Sequence, residues 1–137
     1  MEIEDVEEKI RSEILDTGKD TRYKLSAYLF VLTGLSYCLA RIGEIRHVSG
    51  SEFSLSLLQF ARHQFGPLAR SVLAGWGIQT TDDFGNIVYN LIEIDVMGRE
   101  PQDRLEDFTG VADIDRYFAE QDYFEIDKNF IKKTQCA

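Results

Sequence analysis

A chain of 137 residues, 44% hydrophobic and 28% charged, has room for one domain with a core of its own. Its net charge of −9 argues against general nucleic-acid binding, which needs Lys and Arg to displace the cations around phosphates. Two prolines and no low-complexity run argue against long disordered linkers, two cysteines without a C-x-x-C spacing against a disulfide framework, and an acidic start (MEIEDVEEKI) against a secretory signal; a reducing cytoplasm is the expected setting.

The first expected element is an amphipathic helix over residues 3–15. Ile3, Val6, Ile10 and Ile14 step by three or four residues behind an acidic outer face. Gly18 closes it, and Asp20 or Thr21 is placed to cap the next. That second helix, from Tyr23 to Ile42, is the most apolar stretch. The sixteen residues between Lys24 and Arg41 carry no charge. A membrane span needs about 20 apolar residues, and this run is shorter and holds Ser26, Thr33, Ser36 and two tyrosines. It is predicted as a helix buried on most of its circumference, with Gly34 allowing a neighbouring helix to come close.

Gly43 ends the long helix, and Arg46-His47-Val48 suits a short extended piece. Ser49-Gly50-Ser51-Glu52 opens a third helix, with Phe53, Leu57, Phe60 and Ala61 on one face, running to Phe65. Gly66-Pro67 is a stop followed by a start, because glycine accepts positive φ and proline at a first helical position loses no hydrogen bond. Leu68, Val72, Leu73 and Trp76 continue the helical spacing. Gly77-Ile78 reads as a Schellman ending. Thr80 and Asp83 form a capping box for a helix over residues 80–97, in which Phe84, Ile87, Val88, Leu91 and Ile92 follow the helical template in full.

Beyond the loop GREPQD, the residues Leu105, Phe108, Val111 and Ile114 suggest a β-hairpin or irregular packing, and Asp115 to Glu120 a short helix. Tyr123, Phe124, Ile126, Phe130 and Ile131 make residues 121–137 too apolar for a solvated tail, so docking on the body or on a partner is expected. The fold expected is mainly α: one compact multi-helix domain over residues 1–120, with an element order like that of winged-helix domains.

Several of these blocks carry a resemblance. HVSG before an apolar helix, then FGPLAR, VLAGWGI, TDDFGNIVYNLIE and LEDF, with DTRYKLSAYLFVLTGL upstream, resemble an uncharacterised bacterial family restricted to the Verrucomicrobia and Planctomycetes group. The likeness spans about residues 3–120. Ala112 stands where the family more commonly has an aromatic, and Arg104-Leu105-Glu106 replaces an Arg-acid pair. The resemblance implies a single cytoplasmic domain and brings no activity, cofactor or catalytic residue.

Charge is unevenly spread. Residues 21–79 carry +4 and residues 80–127 carry −11, so the basic middle and acidic end should attract each other, within one chain or between two. Asp83, Asn86, Asn90 and Glu93 share the helical face opposite the apolar stripe. Asparagine is a poor helix former, so these amides suggest hydrogen bonds to a partner or ligand; a solvated face, or bonds within the fold, is the plainer alternative. Arg62, His63 and Arg70 are a candidate anion patch beside the Gly66-Pro67 break, with ion pairs to the acidic third preferred, and Arg46 is a further candidate nucleic-acid contact with them. His47 and His63 are too far apart in sequence, and too few, for a zinc site. No nucleophile motif, phosphate loop or cofactor signature is present, and no metal, cofactor or membrane is expected. The reading is a small soluble protein-interaction module that self-associates; the alternative is a divergent winged-helix regulator using residues 46–79.

Overall fold

The computed structural model describes residues 3–44, 46–98 and 104–119. Helix α1 (Ile3–Ile10) runs directly into a π-turn, Arg11–Leu15, where the Asp16 N–H donates to the Arg11 carbonyl at 2.7 Å. The expected 3–15 helix is therefore present with a wider last turn. Ile10 and Ile14 are fully buried. Gly18 turns the chain at φ +70°.

Helix α2 (Leu25–Ile42) ends at Gly43, whose N–H returns to the Leu39 carbonyl at 2.9 Å. It packs on α3 (Gly50–Phe65) through Gly34, where a Cβ would stand 2.3 Å from Leu57 Cδ2. The burial expected around most of α2 is met in part, with Leu25, Leu29, Leu32, Leu35, Tyr37 and Ile42 packed partly buried against the core. Of its 18 residues, Ala27, Tyr28, Phe30, Val31, Gly34 and Cys38 are fully buried, while Ser26, Thr33, Ser36 and Ala40 face outward. By length and composition alone, α2 is apolar enough to cross a membrane.

The capping box at Ser49 forms as expected: Glu52 N–H donates to Ser49 Oγ at 3.2 Å, and Ser49 N–H to Glu52 Oε1 at 3.4 Å. The Gly-Pro break becomes a 3₁₀ turn, Gly66–Leu68, leading into α4 (Ala69–Gly75). The Schellman ending of α4 is complete. Ile78 N–H reaches the Leu73 carbonyl at 2.9 Å and Gly77 N–H the Ala74 carbonyl at 3.1 Å.

Helix α5 (Thr81–Glu93) is the central element. Its Phe84, Ile87 and Leu91 are fully buried, along with Tyr28 and Val31 of α2, Leu57 and Leu58 of α3, and Leu73 of α4. It stops four residues before the expected Met97. Val96 N–H bonds the Leu91 carbonyl at 2.9 Å, which requires the intervening Asp95 to take φ +61°. This is the position glycine usually fills. Asp95→Gly should therefore stabilise the fold by about 0.5–1 kcal/mol, measured by urea denaturation.

Among the described residues there is no strand. Where a hairpin was expected after α5, Leu105–Phe108 form a 3₁₀ turn and residues 114–119 are helical. Leu105, Phe108, Val111 and Ile114 recur every third residue, a spacing that suits helical turns and not the two-residue alternation of a strand. The 3₁₀ turn sits in a notch made by two small residues. A Cβ on Gly85 would meet the Phe108 ring at 2.9 Å, and one on Gly50 would meet Asp107 Cβ at 2.8 Å. The Thr81 hydroxyl donates to the Phe108 carbonyl at 2.7 Å and accepts from Val111 N–H at 3.2 Å, fixing the segment against the start of α5. Without strands the winged-helix order has no wing among the described residues. The remaining hairpin positions 99–103 and the expected tail, 121–137, lie outside them.

Candidate functional site

The polar stripe of α5 comes together as the spacing implied, and its hydrogen-bonding groups meet residues 19–28. Asp83 accepts from the backbone N–H of Gln79 at 2.7 Å and of Thr80 at 3.0 Å, and from the Tyr23 hydroxyl at 2.5 Å. Asn86 Nδ2 donates to the same Tyr23 oxygen at 3.0 Å. Asn90 Nδ2 donates to Asp20 Oδ2 at 2.8 Å and to the Tyr28 hydroxyl oxygen at 3.1 Å. Glu93 pairs with Lys19. The stripe thus fastens the α1–α2 loop to α5.

Asp20 is the charged centre of this clamp. Its carboxylate also accepts from Arg22 N–H at 3.0 Å, Arg22 Nε at 2.9 Å and Arg22 Nη2 at 2.7 Å. The Arg22 hydrogen bond, opposed by burial and helped by Asn90, holds the carboxyl at about 2. Burial and the bond to Asp83 push the Tyr23 hydroxyl well above the usual tyrosine range. Asp20 is therefore not the cap of α2, whose first residue is Leu25; it is bonded within the loop and to α5. The sequence held a hint of this. Buried tyrosines need partners for their hydroxyls, and two asparagines in a helix need a reason.

The four basic candidates do not form a shared patch. Arg46 is held by Glu44 at 3.3 Å and Glu52 at 2.8 Å. His63 stacks with Tyr37, ring centroids 6.2 Å apart. Arg62 sits on α3 and is half-buried. Arg70 pairs with Asp115, donates to the Ile78 carbonyl at 3.2 Å and to Gln79 Oε1 at 2.9 Å. The Arg70–Asp115 pair is an instance of the basic middle meeting the acidic end inside one chain.

A different surface emerges along α2, α3 and α4. Residues 21–43 and 53–81 contain no aspartate or glutamate, in a chain that has 24. An aromatic ribbon runs across this face. Trp76 packs edge-on to Phe65 at 5.7 Å and tilts on Phe30 at 5.6 Å. Phe30 stacks on Phe60 at 5.2 Å, Tyr37 lies on Phe60 at 4.9 Å, and the Arg41 guanidinium covers Tyr37 at 5.8 Å. At the Trp76 end a groove of about 250 Å³ opens between Ser26, Leu29 and Thr33 of α2, Phe60 and Gln64 of α3, and Trp76. A second groove, on the other side of Leu29 and Thr33, is lined by Val6, Leu32, Ser36, Asp95 and Val96. The uncharged outward side of α2 is thus a ridge between two channels, the second of which carries the Asp95 carboxylate. A third cavity of about 280 Å³ lies between α2, α5 and the 105–108 turn, with Arg46, His47, Arg104 and Asp107 at its polar rim.

Sequence reasoning missed the groove because its walls come from three helices. The signal available was the absence of acids from residues 21–43 and 53–81 together with their load of aromatics. Among the described residues no three His, Cys, Asp or Glu side chains gather as they would around a metal. No family model matches the chain, and no curated protein or solved structure matches it significantly.

Proposed function

We propose that the protein is an interaction module whose working surface is the acid-free aromatic face of α2, α3 and α4. The observation that carries this reading is the groove at Trp76, whose walls are mainly apolar and come from segments, residues 21–43 and 53–81, that hold no carboxylate. Exposed apolar grooves of this kind suit side-chain anchors from a peptide, and basic residues nearby favour an acidic one. Lys24 stands two residues before Ser26, and Arg62 and His63 precede Gln64. The partner that fits is an acidic segment bearing aromatic or branched side chains. Pairing two copies through α2 itself is less favourable, because both ends of its uncharged run are basic and either helix orientation would bring Lys24 and Arg41 near like charges. Nucleic acid would use the positive surround but not the apolar walls, and it has no support from a wing.

Trp76 is the single tryptophan, so its fluorescence reads the groove directly. An acidic peptide carrying Phe and Tyr is expected to shift Trp76 emission with an affinity of tens of micromolar, weakening as salt rises. A twin peptide with Lys at each acidic position should not. The substitution Thr33→Glu, at the exposed groove edge, should abolish binding without loss of helix content. Equal response to both peptides, or response to neither, would overturn the reading; tight low-salt binding of duplex DNA in their place would favour the nucleic-acid alternative.

A further inference from the structure

We infer that the cavity between α2, α3, α5 and the 105–108 turn is a binding site for a free α-amino acid with a large apolar side chain, such as phenylalanine or leucine. It is separate from the groove at Trp76 and stands on different observations. The first is the wall. Leu35 and Leu39 of α2, Phe53 of α3, Val88 and Ile92 of α5 and Phe108 of the turn enclose about 280 Å³. A cavity of roughly 150 Å³ is filled by benzene, so this one suits about eleven non-hydrogen atoms, close to the size of phenylalanine. Water suits it poorly, because each molecule needs about two to four polar partners and most of this wall is hydrocarbon.

The second is the mouth, lined by Arg46, His47, Arg104 and Asp107. These residues stand on two segments that meet. The Ser51 hydroxyl donates to the Asp107 carbonyl at 3.4 Å, and a Cβ on Gly50 would lie 2.8 Å from Asp107 Cβ. Arg46 is engaged by Glu44 at 3.3 Å and Glu52 at 2.8 Å, and it donates to the His47 carbonyl at 2.8 Å. The fixed charges presented to a ligand are then those of Arg104 and Asp107, both exposed. The Asp107 carboxylate accepts from Arg104 N–H at 3.3 Å, so a cation and an anion open side by side on the same mouth. A carboxylate accepts several hydrogen bonds, so Asp107 keeps the capacity to accept from an ammonium.

Wall and mouth together select the ligand. A simple carboxylate would be drawn to Arg104 and repelled by Asp107, and a simple amine the reverse. An α-amino acid carries both charges on one carbon, next to the side chain that fills the cavity. Arg104 takes the carboxylate, through the paired hydrogen bonds that a guanidinium offers, and Asp107 takes the ammonium. A residue inside a peptide has lost both charges, so the site distinguishes a free amino acid from an internal segment of a protein.

The test is calorimetric titration of the full chain with three molecules of similar shape: L-phenylalanine, hydrocinnamate, which lacks the ammonium, and phenethylamine, which lacks the carboxylate. L-Phenylalanine is expected to bind with a dissociation constant of order 0.1 mM, and each analogue at least about tenfold more weakly. L-Leucine should bind comparably, and L-alanine hardly at all, because it leaves the apolar wall uncovered. Arg104→Gln should weaken L-phenylalanine about tenfold and leave phenethylamine unchanged; Asp107→Asn should weaken it similarly and leave hydrocinnamate unchanged. Both positions are exposed, and circular dichroism checks that each variant keeps its helix content. Equal binding of the three molecules would make the cavity blind to charge, and tighter binding of hydrocinnamate would make it a plain carboxylate site; either result overturns the inference. So does L-phenylalanine binding that both substitutions leave intact, or no binding of L-phenylalanine and L-leucine at about 10 mM. Trp76 does not line this cavity. A Trp76 emission change that tracks L-phenylalanine binding and is lost in Thr33→Glu would move the ligand to the other groove and overturn this site.

Discussion

Gly77→Ala is expected to lower stability by about 3–4 kcal/mol, or roughly 10 °C in melting temperature. Gly77 sits at φ +97°, where an added Cβ costs about 1–2 kcal/mol in conformational strain alone. The same Cβ would stand 2.1 Å from the Arg22 carbonyl oxygen, and backbone cannot swing aside as a flexible side chain can. Relief requires the 20–24 loop to withdraw from the end of α4, which loosens the Lys24 N–H bond to the Trp76 carbonyl at 3.3 Å. Gly75→Ala, two residues earlier, is the control. Nothing lies within 4 Å of its Cβ position, and alanine is the better helix former, so that variant should be neutral or slightly stabilised. Thermal melts of the two variants separate the outcomes; a Gly77→Ala protein as stable as Gly75→Ala would contradict the close packing described.

The second large effect is expected at the clamp. Asp20→Ala should cost about 3 kcal/mol, because the carboxylate is 6% exposed and its loss strands the Arg22 N–H and the Asn90 amide. Asn90→Leu should cost about 2 kcal/mol by withdrawing a donor from both Asp20 and Tyr28. The two losses should be less than additive, since they share one hydrogen bond. Acid provides an independent check. The Asp20 carboxyl is lowered from 3.8 to about 2, so its contribution, about 2 kcal/mol, is complete above the unfolded value and disappears as pH falls from about 4 through about 2. Denaturant unfolding of the parent and of Asp20→Ala across that range should show the gap between them narrowing. A gap that stays constant would mean the carboxylate's charge does not stabilise the fold.

Local signals in the sequence carried much of the fold. Capping residues and glycines marked helix ends well, because each such signal is decided within about one turn of chain: Ser49 with Glu52, Gly43, and Gly77 with Ile78. Two misplacements have separate causes. The end of α5 was set too late because Asp95 adopts the left-handed conformation that glycine usually marks, and no glycine flags it. The hairpin was expected from apolar residues among acids, whereas their three-residue spacing and a notch at Gly50 and Gly85 favoured a tight turn. The candidate site was less legible. The spacing of Asp83, Asn86, Asn90 and Glu93 identified a real polar face. Its partners, Asp20, Tyr23 and Tyr28, lie 60–70 residues away, beyond the reach of any periodicity. The groove at Trp76 is likewise a product of tertiary packing, visible only once three helices are assembled.

The distance spanned by the clamp has a consequence for how the chain acquires its structure. Synthesis delivers Asp20, Tyr23 and Tyr28 long before Asp83, Asn86 and Asn90. Until α5 has left the ribosome, α2 has no α5 to cover its buried side, and the two tyrosines lack these hydrogen-bond partners. The most apolar helix of the protein thus packs first on α3 and stays partly uncovered until α5 is made. On this account the nascent chain passes through an interval, ended by residue 93, in which α2 is its most aggregation-prone surface and the natural target for a chaperone that binds uncharged apolar segments.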